Sequence, residues 1–220
     1  MIFGEPIKIL AVGAHPDDVE LGCGGLLAKC IDHGHEVHYV TLSPCQKHRV
    51  TNHPTRRRVD EARKATLALG IKKENVTFFN FENTMFPTHA HQIRDALDQM
   101  RARILPELIL CPSPSDPHQD HATTGIESLR TFRSGEFVFA YEVLRHGSYL
   151  FDPNLFVDIT EYMDTKLRAL MCYETQLGRS YFSPETFKAL AATRGAQAGY
   201  GYNPGTYRYA EAFEVLKMYL

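Results

Sequence analysis

The chain has 220 residues, 44% of them hydrophobic and 23% charged, with a formal net charge of -2. That length supports one substantial core, and the expectation is a single domain over residues 1–220. The near-neutral charge excludes the basic footprint of a nucleic-acid binder or of a protein drawn to an anionic membrane, and no apolar run approaches the roughly 20 residues of a bilayer span.

In chain order, IKILAVGA (7–14) reads as a buried strand, and ELGCGGLLAKCIDHG (20–34) as a helix stopped at Gly34. EVHYVTLS is a second strand, RRRVDEARKATLALG a helix ending on Gly70, and VTFFNF a third strand. HQIRDALDQMRARI is a helix and ELILCPS a fourth strand. This alternation predicts an α/β fold, a mostly parallel sheet with helices on both faces and its active site at the carboxyl ends of the strands. Beyond residue 125 the order is less regular. FVFAYEVL, with Glu142 inside it, and LFVDIT read as strands, while 160–177 and 183–199 read as helices. GYNPGTYRY is turn-rich, and YAEAFEVLKMYL closes the chain as strand or short helix.

Two segments place unusual residues at that carboxyl edge. The first strand ends in AHPDDVE, with His15, Asp17 and Asp18; the fourth runs into PSPSDPHQDHATTG, a loop with Asp116, His118, Asp120 and His121. Alone, either segment reads as ordinary turn chemistry, and Asp18 as a helix cap. Together they suggest a metal site. A catalytic zinc takes three nitrogen and oxygen ligands and keeps one position open. His15, Asp18 and His121 could form that set, with Asp17 left over beside the water as general base. The cysteines Cys23, Cys30, Cys45, Cys111 and Cys172 are odd in number and contain no C-x-x-C pair, so neither a disulfide framework nor a thiolate zinc site is expected.

AHPDDVELGCGG followed by PHQDH resembles the PIG-L/LmbE-like family of zinc-dependent N-acetyl-sugar deacetylases. RRVDEARKATLALG, NLFVDIT and YAEAF are similar to further family elements, so the resemblance covers nearly the whole chain. It implies a Rossmann-like fold and one zinc ion held by His15, Asp18 and His121. Asp17 then acts as general base, and His118 polarises the substrate carbonyl, as an imidazolium facing the oxyanion. Asp120 would orient His118, and Arg58 would contact a hydroxyl or an anionic group of the substrate. The position often filled by proline in the histidine loop is Gln119, which is no ligand. The implied partner is a small-molecule N-acetylated sugar or sugar conjugate, and a homo-oligomer is compatible with the resemblance.

Two other readings use the same residues: a mononuclear non-haem iron oxygenase, since two histidines and a carboxylate also suit Fe(II), and a non-catalytic binding module stapled by metal. GCGG is no dinucleotide fingerprint, because Leu27 stands at the third glycine position. Arg56 and Arg57 read as a solvated face, His33, His35 and His38 as surface or packing residues, and His89 and His91 carry no role. His48, His53 and His146 are candidates for the cleft entrance, and Tyr181, Tyr200, Tyr202 and Tyr207 for stacking on a sugar ring. MIFGEPIKI lacks the parts of a signal peptide, and a cytoplasmic location is expected.

Overall fold

β1 (Lys8–Gly13) is buried at every position after its first residue, as expected of a strand covered on both faces. Ile9 and Ala11 point into one apolar cluster and Leu10 and Val12 into another. The structure, a computed structural model, describes residues 5–45, 55–145, 150–199 and 208–218. β2 (Glu36–Thr41), β3 (Val76–Phe78), β4 (Leu108–Pro112), β5 (Phe137–Tyr141), β6 (Leu155–Asp158) and β7 (Ala210–Lys217) complete a seven-stranded sheet in the order β3-β2-β1-β4-β5-β7-β6. The pairs β1–β2, β2–β3, β1–β4 and β4–β5 are parallel, whereas β7 runs antiparallel between β5 and β6.

Helices cover both faces. α1 (Asp18–Asp32), α2 (Thr55–Ala68), α5 (Met163–Leu170) and α6 (Pro184–Gln197) contribute to the cluster around Ile9, and α3 (Ala90–Ile104) to the cluster around Leu10. α4 (Gln119–Thr131) packs beside α3. No helix among the described residues is long and apolar enough to cross a membrane. Strand order reverses direction between β1 and β4, so the segments leaving their carboxyl ends part to opposite sides and open a crevice there.

α4 corrects the expectation of a loop through Gly125. The helix begins right after His118 and buries Thr124, Gly125 and Ser128, so it carries no apolar periodicity to announce it. A Cβ at Gly125 would lie 2.4 Å from the Pro112 carbonyl oxygen, which measures how closely α4 approaches β4. The stretch 160–177 also departs from one continuous helix: α5 is flanked by short 3-10 turns, Thr160–Tyr162 and Glu174–Gln176. Glu142 lies just past β5 and pairs with Arg194 at 2.7 Å.

α1 is broken at Cys23 (φ -143°, ψ 17°). The break is bridged by side chains from distant elements. The buried Glu211 carboxylate of β7 accepts the N–H groups of Gly25 and Leu26 at 2.8 and 2.7 Å. Lys166 of α5 donates to the Leu21 carbonyl at 2.8 Å and pairs with Glu211 at 2.6 Å. This ion pair takes the place of helical bonds across the break. The same segment packs tightly, since a Cβ at Gly22 would lie 2.0 Å from the Tyr141 ring. Replacing Lys166 by Met should cost about 3–5 kcal/mol in denaturant unfolding, because it strands a buried carboxylate. Adding Glu211→Gln to Lys166→Met should recover part of that loss.

Candidate active site

The segments leaving β1 and β4 meet in the crevice. Asp17 has φ 97°, the left-handed region that aspartate enters more readily than most side chains. The turn separates two adjacent carboxylates. Asp18 accepts the His15 backbone N–H at 2.7 Å and turns to the histidines, whereas Asp17 faces Arg58 of α2 at 3.7 Å. On the other side His118 caps α4, its Nδ1 accepting the Asp120 N–H at 3.1 Å. One helical turn then carries Asp120 and His121 inward, both buried.

His15 Nδ1 and His121 Nε2 lie 3.2 Å apart. Asp18 Oδ1 is 3.3 Å from His121 Nε2, and Asp18 Oδ2 is 3.5 Å from His15 Nδ1. These three residues can therefore share one metal ion. Each histidine is held from behind by a carboxylate. His15 Nε2 meets Asp120 Oδ2 at 2.9 Å, and His121 Nδ1 meets Asp116 Oδ2 at 3.0 Å. In metal sites a carboxylate so placed behind a histidine fixes the ring's orientation and raises its basicity as a ligand. His15, His118 and Asp120 also lie close enough together to share an ion. There, however, the Asp120 carboxylate already accepts the Thr84 and Phe86 N–H groups, and His118 Nδ1 already serves as helix cap. The first trio has the lone pairs to spare.

The electrostatics fit a cation at the same point. Burial opposes charge on His121, but the Asp18 and Asp116 carboxylates outweigh it and raise the ring to about 10. His15 is raised in the same way, burial opposing while Asp120 and Asp18 prevail. Burial pushes Asp18 up, but His121 and His15 hold it well below the usual carboxylate range. The two rings favour protons beside the Asp18 carboxylate, and a divalent ion held by the same three residues would displace those protons on binding. Burial raises Asp17 to about 6 against the pull of Arg58.

Each expected site residue except Asp120 lines a cleft of about 470 Å³. Asp120 is fully buried behind it; its carboxylate meets His15 Nε2, and its backbone N–H donates to His118 Nδ1. With Nδ1 serving as the helix cap, Nε2 is the other polar atom of the His118 ring, which lines the cleft. Asp116 as the support of His121 was not distinguished by the sequence, although its position in the motif was the available signal. Arg145 and Arg179, which also line the cleft, gave no signal, as they lie in irregular chain. Tyr181 lines it as well. His48, His53, His146, Tyr200, Tyr202 and Tyr207 lie outside the described residues. His33, His35, His38, His89 and His91 do not line the cleft.

The family model of GlcNAc-PI de-N-acetylases, PIG-L, matches residues 10–131. The chain is 27% identical over 225 residues to a diacetylchitobiose deacetylase of Thermococcus kodakarensis, covering 92% of this chain and 83% of that protein. The N,N'-diacetylchitobiose deacetylase structure from Pyrococcus horikoshii matches with a TM-score of 0.77 and 25% identity, over 97% of this chain and 85% of that one. GalB, the 4-carboxy-2-hydroxymuconate hydratase of Pseudomonas putida KT2440, matches with a TM-score of 0.79 and 25% identity, over 97% and 98% of the two chains.

Asp116→Asn should weaken metal affinity about 10- to 100-fold, the usual effect of removing a carboxylate behind a histidine ligand. Competition with a chromogenic chelator would read this directly, and an unchanged affinity would deny Asp116 its supporting role.

Proposed function

This chain belongs to the PIG-L family, and from that premise we propose that it is a zinc-dependent N-deacetylase acting on an N-acetylated amino sugar or sugar conjugate. One observation carries the reading: Asp17 and His118 flank the His15–Asp18–His121 trio within one cleft. His15, Asp18 and His121 hold the ion. Bound there, zinc supplies Lewis acidity and lowers the pKa of water toward ~7.

The chain's own residues do the rest. Asp17, held toward the cleft by its left-handed backbone and by Arg58, removes a proton from the attacking water. His118 donates from Nε2 to the carbonyl oxygen of the acetamide as negative charge gathers on it, a contact of the kind worth roughly 3–4 kcal/mol. Asp17 returns the proton to the departing nitrogen, and acetate and a free amine are the products. Asp120 and Asp116 act through His15 and His121 as positioning residues. Arg58 keeps Asp17 in place and offers the substrate its remaining N–H groups.

Family membership weighs against the iron oxygenase and the metal-stapled binding module. A hydratase is the second reading, favoured by the likeness to the Pseudomonas enzyme, because activating water beside a carboxylate serves addition to a double bond as well as amide cleavage. A cytoplasmic location is supported by five free cysteine thiols.

The test is amine release from a panel of N-acetylated sugars, with zinc removed by chelation and then restored. Release should vanish and return with zinc. Asp17→Asn should keep its metal, measured by elemental analysis, and lose about 10²- to 10⁴-fold in kcat. Full turnover by that variant would remove Asp17 from the role of base. Oxygen uptake during turnover, or hydration of an enol acid without amine release, would replace the deacetylase reading.

A further inference from the structure

All four residues of the turn Glu82–Met85 line the cleft. The Met85 N–H closes this turn on the Glu82 carbonyl at 3.2 Å. Its third residue, Thr84, has φ 68°. A turn with positive φ at that position selects glycine or asparagine, and a β-branched residue there is an outlier. Such a conformation persists only where the surrounding structure over-determines it.

The first turn of α4 supplies that constraint. The Thr84 N–H donates to Asp120 Oδ2 at 2.6 Å, and the Thr84 carbonyl accepts from Gln119 Nε2 at 2.6 Å. Two adjacent side chains thus take up both backbone polar groups of one residue. Phe86 adds its N–H to Asp120 Oδ1 at 3.2 Å. The two side chains differ in what else they do. Asp120 is buried and shares Oδ2 with His15 Nε2, so it serves the trio as well. Gln119, the first residue of α4, is exposed and does not line the cleft; its side chain reaches the cleft wall through Thr84. His118, Gln119, Asp120 and His121 are consecutive, so the turn Glu82–Met85 is held in register with the residues around the trio.

We propose that Gln119 is a positioning residue. By holding the Thr84 carbonyl it keeps the turn Glu82–Met85 in the conformation that forms one wall of the substrate cleft. It therefore governs how tightly substrate is held and leaves the chemical step alone. The seating of the turn rests on its hydrogen bonds, and the effect on substrate rests on the deacetylase reading.

Gln119→Glu keeps the side chain's shape and suits the first turn of a helix, but its carboxylate has no N–H to give. Deuterium uptake by a peptide covering 82–86 is compared in zinc-loaded wild type, Gln119→Glu and Gln119→Ala. Both variants should speed exchange there about 3- to 10-fold, the scale of one hydrogen bond. With N-acetylglucosamine and N,N'-diacetylchitobiose as substrates, KM should rise by a similar factor while kcat stays within about twofold. Zinc affinity, read by chelator competition, should not change. Thr84→Gly takes up the positive φ without help, so in that background Gln119→Glu should alter exchange and KM by less than about twofold. Exchange unmoved by both Gln119 variants overturns the proposal, as does faster exchange with KM unchanged or a fall in kcat alone. A raised KM that Thr84→Gly does not relieve also overturns it, because Gln119 would then touch the substrate itself. Faster exchange that Thr84→Gly relieves, with no acetate released from either sugar by any of the proteins, leaves the seating of the turn standing and removes the deacetylase reading for those sugars.

Discussion

Two imidazole nitrogens 3.2 Å apart, with a carboxylate oxygen 3.3 Å from one of them, cannot all remain bare acceptors in a buried place. Lone pair would face lone pair with no water to intervene. Something positive must sit among His15, Asp18 and His121, and the surrounding structure is arranged for that requirement. Asp120 and Asp116 hold the far nitrogens of the two rings, so each ring turns its remaining nitrogen inward. Asp120 is held in turn by two backbone N–H groups, from Thr84 and Phe86, which ties the segment before α3 to the site.

The sheet supplies the meeting point. β1 and β4 are neighbours although most of the chain's first half separates them, and at that reversal of strand order their outgoing segments diverge. The precision of the site depends on the segment that leaves each strand. After β4, α4 starts at His118 and lies against Pro112 through Gly125, so His121 enters from a rigid helix. After β1, the left-handed Asp17 and the first turn of α1 direct Asp18. That turn is separated from the rest of α1 by the break at Cys23, where the Lys166–Glu211 pair takes over the helical bonds. The YAEAF segment, far away in sequence, therefore supports the helix that bears Asp18.

The cleft brings carboxylates, imidazoles and guanidinium groups together. Its carboxylates and imidazoles meet at the His15, Asp18 and His121 trio, where they could hold a metal ion. Arg58, Arg145, Arg179 and Tyr181 line the same cleft, and Arg58 faces Asp17.

The fold was legible because buried parallel strands and amphipathic helices announce themselves by periodicity, and β1 to β4 with α1 to α3 follow it closely. The residues of the site were legible because His15, Asp17, Asp18, His118 and His121 stand where strands end, in a pattern with no packing purpose. α4 was not, since it packs through glycine, serine and threonine, which carry no apolar rhythm. Nor were the partners of the histidines: which carboxylate stands behind which ring depends on where a helix starts, and α4 brings the Asp120 carboxylate to His15 and that of Asp116 to His121. Composition and local pattern thus determined the sheet, its helices and the chemistry at its edge. Only the tertiary structure decided the ring supports, the broken α1 and the three arginines in one cleft, because each joins residues that no local signal connects.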